Sequence, residues 1–216
     1  MPKGVLFDLD GTLLDSSPDF IYSLNALLTK YDRKHLDPQI IRRHVSDGTW
    51  KLISLGFEIE QNTAECLRLR DELLEVYEQN SLKFGGLFAG IDKMLIQLAE
   101  NNIPYGIVTN KPLRFAEPIV KKIDAFAGCR TLICPDHLQA SKPDPQGILM
   151  GCEHLGIKPS DCIYVGDHLK DIQAGLNAGT DVIACYFGYA LRPSDHSPSI
   201  SGAHQPDELF QLIQSL

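Results

Sequence analysis

The segment Val5-Leu6-Phe7-Asp8-Leu9-Asp10-Gly11-Thr12-Leu13 is an apolar run that stops at two carboxylates one residue apart, followed by glycine. A run such as Gly4 to Phe7, with no polar alternation, belongs inside a sheet covered on both faces. Carboxylates are costly inside such a sheet, so Asp8 and Asp10 are expected at its exit, within reach of solvent, metal or substrate. Side chains at i and i+2 share one face of a strand, so the two acids converge. Two anions that close favour a bound cation or a raised pKa on one of them. Gly11 permits a sharp turn after the strand, and Thr12 adds a hydroxyl beside the acids. The rival reading is an aspartate-rich strand-to-turn junction with no chemistry.

Three other apolar runs end in polar groups. Ile103 to Val108 leads into Thr109-Asn110, Cys162 to Val165 into Gly166-Asp167, and Thr131 to Cys134 toward Ser141-Lys142-Pro143. In an open parallel sheet, ligands bind outside the carboxyl ends of the strands, so these segments are expected to meet in one site. The set is Asp8, Asp10, Thr109, Asn110, Lys142, Asp167 and Asp171. With D-L-D-G-T, V-T-N, S-K-P-D-P and V-G-D-H-L-K-D in this order, the chain resembles the haloacid dehalogenase superfamily of phosphotransferases over nearly its whole length. Within it, the chain looks like the phosphoglycolate phosphatase group with a helical cap. The segments V-T-N-K-P-L-R-F-A-E-P-I and L-I-C-P-D-H are similar to bacterial N-acetylmuramic acid 6-phosphate phosphatases, which serve cell-wall sugar recycling.

The resemblance implies a Mg2+-dependent phosphomonoesterase acting on a small phosphate ester, with N-acetylmuramic acid 6-phosphate or phosphoglycolate as the expected substrate. Asp8 is the expected nucleophile, because an aspartyl phosphate splits hydrolysis into two easier steps. Asp10 is the expected acid and base, protonating the leaving oxygen and then activating water. A hard cation such as Mg2+ fits Asp8, Asp167 and the backbone carbonyl of Asp10. Asp171, one helical turn after Asp167, is expected to hold metal-bound waters; compensation of a helix N-terminus is its rival role. Thr109 and Asn110 are expected to donate to phosphoryl oxygens, and Lys142 to keep Asp8 ionised while neutralising the transferring group. Lys111 and Arg114 are placed at the substrate rim, and Arg43, Asp47, Gly48 and Lys51 in a cap turn that sets specificity.

The remaining composition excludes other classes. A formal charge of −8, with no cluster of Lys and Arg, argues against a nucleic-acid partner. The first apolar run lacks a basic flank and a cleavage site, and no run approaches the roughly 20 residues of a membrane span, so a cytoplasmic protein without a membrane partner is expected. A monomer or weak dimer is expected. The six cysteines show no C-x-x-C pairing and are expected to be buried thiols, while the dispersed histidines disfavour zinc.

Ser16-Ser17-Pro18 signals a helix start, and Ile21, Leu24, Leu28 and Tyr31, then Leu69, Leu73, Val76 and Tyr77, recur at helical spacing. No strand-like run interrupts residues 16–83, which are expected to form a helical cap. Residues 1–15 and 84–216 are expected to form an α/β core of the doubly wound, Rossmann-like parallel type, because helical segments alternate with short apolar strands. Arg192 to Pro206 is expected to be a surface loop before a last helix at Asp207 to Leu216. Carbon-halogen hydrolysis is disfavoured by the acid at Asp10. A sugar phosphomutase sharing the aspartyl phosphate, and a phosphorelay receiver that signals through a phosphorylated aspartate, are the alternatives.

Overall fold

The computed structural model describes residues 2–195 and 197–216, and these divide into two units, 2–14 with the described part of 87–216, and 15–86. The expected insertion spanned 16–83. In the first unit the strands are β1 (Gly4–Phe7), β4 (Tyr105–Val108), β5 (Cys129–Ile133), β6 (Cys162–Gly166), β7 (Asp181–Cys185) and β8 (Ser201–Ala203). They form one sheet in the order β5-β4-β1-β6-β7-β8, with every pairing parallel. The short segments β2 (Leu14–Asp15) and β3 (Gly86–Leu87) pair where the chain passes between the units. The helices of the first unit are α5 (Ile91–Glu100), α6 (Leu113–Lys122), α7 (Gln146–Leu155), α8 (Leu169–Ala178) and α9 (Leu209–Ser215).

All four residues of β1 and of β4 are buried, as strands flanked on both sides require. Leu6, Val108, Ile133 and Tyr164 of the sheet pack with Ile148 and Cys152 of α7 and with Ala174 and Ala178 of α8. Each fully buried aliphatic side chain of this kind contributes about 1.5–3 kcal/mol. All six cysteines are free thiols, five buried and Cys129 half-buried.

The sheet corrects one expectation. Residues 192–206 do not form a loop throughout, because Ser201, Gly202 and Ala203 pair with Ile183, Ala184 and Cys185 as the parallel edge strand β8. Three small residues carry neither β-branching nor alternation, so nothing local marks them as a strand, and the pairing is imposed by β7. His196, inside that stretch, lies outside the described residues.

The second unit is helical: α1 (Ser17–Lys30), α2 (Pro38–Arg43), α3 (Thr49–Phe57) and α4 (Ala64–Asn80). Pro18 stands in the first turn of α1, and the Thr63 hydroxyl caps α4 by accepting from the Cys66 N–H at 3.1 Å. Buried Phe20, Leu24, Leu27 and Leu28 of α1 share this unit's core with Leu69, Leu73 and Tyr77 of α4, and the Phe20 and Tyr77 rings stack 4.1 Å apart. The buried Asp19 carboxylate accepts backbone N–H bonds from Leu82 (2.9 Å), Phe84 (2.9 Å) and Gly85 (3.2 Å), tying the returning chain to the first turn of α1. No helix among the described residues is long and apolar enough to cross a membrane.

Candidate active site

The chain leaves β1 toward β4 on one side and leaves β6 toward β7 on the other, so the crevice between β1 and β6 is the switch point of the sheet. Asp8 follows β1 and Asp167 follows β6. The Asp8 N–H donates to the Val165 carbonyl at 2.9 Å, carrying the pairing one residue beyond Phe7. Carboxylate oxygens of Asp8, Asp167 and Asp171 lie within 4.8 Å of one another, all three residues buried. Asp167 does not stand on the helix with Asp171 but in the connection before α8. The two meet because Asp171 closes a capping box, its Oδ2 accepting the His168 N–H at 3.0 Å.

Lys142 reaches into this cluster with its ammonium almost wholly enclosed. Its Nζ lies 2.8 Å from Asp8 Oδ1, 2.7 Å from Asp171 Oδ1, 2.8 Å from the Tyr164 hydroxyl and 3.0 Å from the Val108 carbonyl. Burial alone disfavours its charge, but Asp171 and Asp8 outweigh that and hold its pKa above the ordinary lysine value. Asp171 is thus engaged by Lys142 and by its cap as well as facing the acidic cluster. Tyr164, which the sequence presents only as part of the apolar run Cys162 to Val165, is fully buried and shares the Val108 carbonyl and Asp171 Oδ1 (3.2 Å) with Lys142. Its one sequence signal is a hydroxyl in the middle of an otherwise apolar strand, where a buried phenol needs a partner.

Asn110 does more than end a strand. Its Oδ1 accepts the Lys142 N–H and its Nδ2 donates to the Lys142 carbonyl, both at 3.1 Å, so the side-chain amide grips the main chain that carries the lysine. Thr109 is buried, its N–H bonded to the Ile133 carbonyl (3.0 Å) and its Oγ1 accepting the Lys111 N–H (3.2 Å). Asp10 lies outside the three-carboxylate cluster, with Lys111 Nζ 3.1 Å from its Oδ1 and 3.0 Å from its Oδ2. Arg114 is exposed on the first turn of α6, with its guanidinium over the Phe115 ring. Arg43, Asp47, Gly48 and Lys51 belong to the second unit. Arg43 ends α2, Asp47 pairs with His44 at 2.6 Å, Gly48 precedes α3 at φ 94°, and Lys51 lies in the first turn of α3.

The donor set suits a hard divalent cation. Asp167 is fully buried, its Oδ2 accepts the Tyr189 N–H at 2.8 Å, and its Oδ1 has no hydrogen-bond partner among the described residues. A buried carboxylate oxygen left unpaired is costly unless a cation takes it. Space around it is kept by two glycines. A Cβ at Gly11, which also has φ 86°, would fall 2.3 Å from Asp167 Oδ2, and one at Gly188 would fall 2.4 Å from Asp167 Cβ. Anionic oxygen ligands without sulfur or imidazole match Mg2+.

Electrostatics point the same way. Burial, opposed by Lys142 and reinforced by Asp171, raises the Asp8 pKa from 3.8 to about 6. Asp167 is raised well above the ordinary range by burial first, then by Asp171 and Asp8. The folded, metal-free protein therefore holds protons that the unfolded chain has released, and its stability falls as pH rises from about 4 through 6. Melting temperatures recorded in chelator across this window are expected to decline toward neutrality. Millimolar Mg2+, which binds the folded form, is expected to remove most of the decline. A flat or rising profile in chelator would contradict this reading of the cluster.

The model of the haloacid dehalogenase-like hydrolase family matches residues 5–185, spanning both strand exits and the helical unit. The chain belongs to this family. Among curated relatives of this haloacid dehalogenase-like hydrolase, N-acetylmuramic acid 6-phosphate phosphatase of Pseudomonas aeruginosa is 38% identical, over 98% of this chain and 94% of its own length. Phosphoglycolate phosphatase of Xylella fastidiosa is also 38% identical, over 87% of this chain and 82% of its own. A predicted phosphoglycolate phosphatase from Haemophilus somnus shares the fold at a TM-score of 0.86, with 23% identity and 98% of each chain covered.

Proposed function

We propose that this hydrolase is a Mg2+-dependent phosphatase working through an aspartyl phosphate on Asp8, with N-acetylmuramic acid 6-phosphate as its substrate. The observation that carries the reaction is the buried Asp8 carboxylate, held at one oxygen by Lys142 and within 4.8 Å, oxygen to oxygen, of Asp167 and Asp171. Lys142 engages Oδ1, which leaves Oδ2 to attack phosphorus. The bond from phosphorus to the leaving oxygen breaks as the bond to Asp8 forms, and Asp10 gives its proton to the departing alkoxide. Asp10 then takes a proton from water, which attacks the phosphoryl group, releases inorganic phosphate and restores the Asp8 carboxylate. Lys142 balances the charge that gathers on the phosphoryl oxygens, and the Thr109 hydroxyl and the Asn110 N–H frame it as donors, the Thr109 N–H being engaged by the Ile133 carbonyl. Asp8, Asp167 and the Asp10 carbonyl would hold Mg2+, which supplies charge neutralisation between the anionic nucleophile and the anionic ester.

The substrate rests on the nearly full-length similarity to the N-acetylmuramic acid 6-phosphate phosphatase, which extends further along the chain than that to the phosphoglycolate enzyme. That substrate implies a cytoplasmic role in recovering cell-wall sugar. The test is phosphate release from N-acetylmuramic acid 6-phosphate, phosphoglycolate, glucose 6-phosphate and a nucleoside monophosphate. The highest kcat/KM is expected on N-acetylmuramic acid 6-phosphate, by about tenfold or more, since even a single methylene filling or missing from a pocket is worth about 1–3 kcal/mol of discrimination. A preference for phosphoglycolate would reassign the substrate, and release from none would overturn the phosphatase reading.

A further inference from the structure

The two carboxylates that leave β1 on one face are divided between two lysines. Asp8 goes to Lys142, and Asp10 goes to Lys111, whose Nζ touches both Asp10 oxygens at 3.1 and 3.0 Å. The Lys111 side chain is only 5% exposed and that of Asp10 16%. Its main chain is fixed as well, since the Lys111 N–H donates to Thr109 Oγ1 and the Thr109 N–H to the Ile133 carbonyl. A lysine that met substrate at an open rim would carry its ammonium outward. This one is folded back onto a carboxylate.

We propose that Lys111 is the positioning residue for Asp10, holding that carboxylate out of the cation cluster and aimed at the leaving group. The inference rests on the acid and base role given to Asp10 above. Spacing alone puts Asp8 and Asp10 side by side, so a divalent cation attracts both side chains, and chelation by Asp10 would remove it from proton transfer. An ammonium contacting both oxygens competes with the cation for Asp10 and fixes its orientation, leaving Asp8, Asp167 and Asp171 as the acidic cluster. The contact serves both steps: with Asp10 protonated, Lys111 holds the oxygen that carries no proton, and with Asp10 ionised it holds both oxygens while water is activated.

The test compares wild type, Lys111→Met and Lys111→Arg with Mg2+ on the best alkyl phosphate of the panel and on 4-nitrophenyl phosphate. Lys111→Met is expected to lower kcat on the alkyl ester by about 30-fold or more, a part of the 10²–10⁴ that acid-base catalysis contributes, with KM within about threefold. On 4-nitrophenyl phosphate, whose leaving group departs unprotonated, phosphoenzyme is expected to form at the wild-type rate and to accumulate because water is not activated. Lys111→Arg keeps a cation able to reach both Asp10 oxygens, and kcat within about tenfold of wild type is expected for it. This variant retains the charge balance of the fold, so it reports even where the methionine variant folds poorly. A rise in KM with unchanged kcat in either variant would make Lys111 a substrate contact and overturn the proposal. So would equal loss on both esters without accumulation of phosphoenzyme. Absence of phosphatase activity in wild type overturns the proposed function itself, which separates the two failures.

Discussion

Asp8→Asn is expected to abolish turnover, by about 10⁴-fold or more, while the metal-free protein becomes more stable at neutral pH. The amide keeps the shape of the side chain and loses the attacking oxyanion, so no aspartyl phosphate can form. The stability gain follows from the raised pKa of Asp8. With a folded value of about 6 against 3.8 for the free side chain, ionisation at pH 7 works against folding, and the neutral amide removes that cost. Lys142 keeps Asp171 as its anionic partner at 2.7 Å in this variant. Phosphate release and thermal melting in chelator check the two halves separately. Near-normal turnover would exclude Asp8 as nucleophile, and a lower melting temperature would contradict the electrostatic account of the cluster.

Lys142→Met is expected to harm both activity and folding. The ammonium has four polar neighbours, Asp8, Asp171, Tyr164 and the Val108 carbonyl, and removing one partner of a buried ion pair costs about 3–5 kcal/mol because the remaining charges stay unpaired. Part of that cost is expected to be recovered at low pH, where the carboxylates protonate, and part with Mg2+, which replaces the lost positive charge. Chemical denaturation at pH 5 and pH 7.5, with and without Mg2+, measures both recoveries. Loss of activity without loss of stability would mean that Lys142 serves only the transferring group. Since Asn110 clasps the Lys142 main chain, the lysine's placement depends on two connections that meet at the carboxyl ends of β4 and β5.

How much of this was legible in the sequence depends on how local each signal is. The exit of β1 is written in adjacent residues, an apolar run against two aspartates, and the parallel sheet follows from strands alternating with helices. Partnerships are not written locally. Asn110 and Lys142 are separated by 32 residues, and nothing in either segment says that the amide will hold the lysine's backbone rather than face the ligand alone. Tyr164 reads as an ordinary β residue until its hydroxyl is found beside Lys142. Tyr189 escapes notice because it serves Asp167 through its backbone N–H, which any residue type but proline supplies. The strand β8 is invisible for the opposite reason, since Ser-Gly-Ala has no pattern and pairs only because β7 offers an edge. Proximity to Thr109-Asn110 in the sequence points Lys111 to the substrate rim, and its contact with Asp10 depends on β4 lying beside β1.

The most direct test of covalent hydrolysis at Asp8 is rapid-quench labelling of the Asp10→Asn protein with a 32P-labelled phosphate ester of good leaving ability, in the presence of Mg2+. Without the carboxylate at position 10, water is not activated, while transfer to Asp8 needs no proton from the enzyme when the leaving group is good. The expected result is a hydroxylamine-labile label approaching one per chain, on the peptide that contains Asp8. Sustained phosphate release from this variant without any protein-bound label, or a label on another residue, would contradict it.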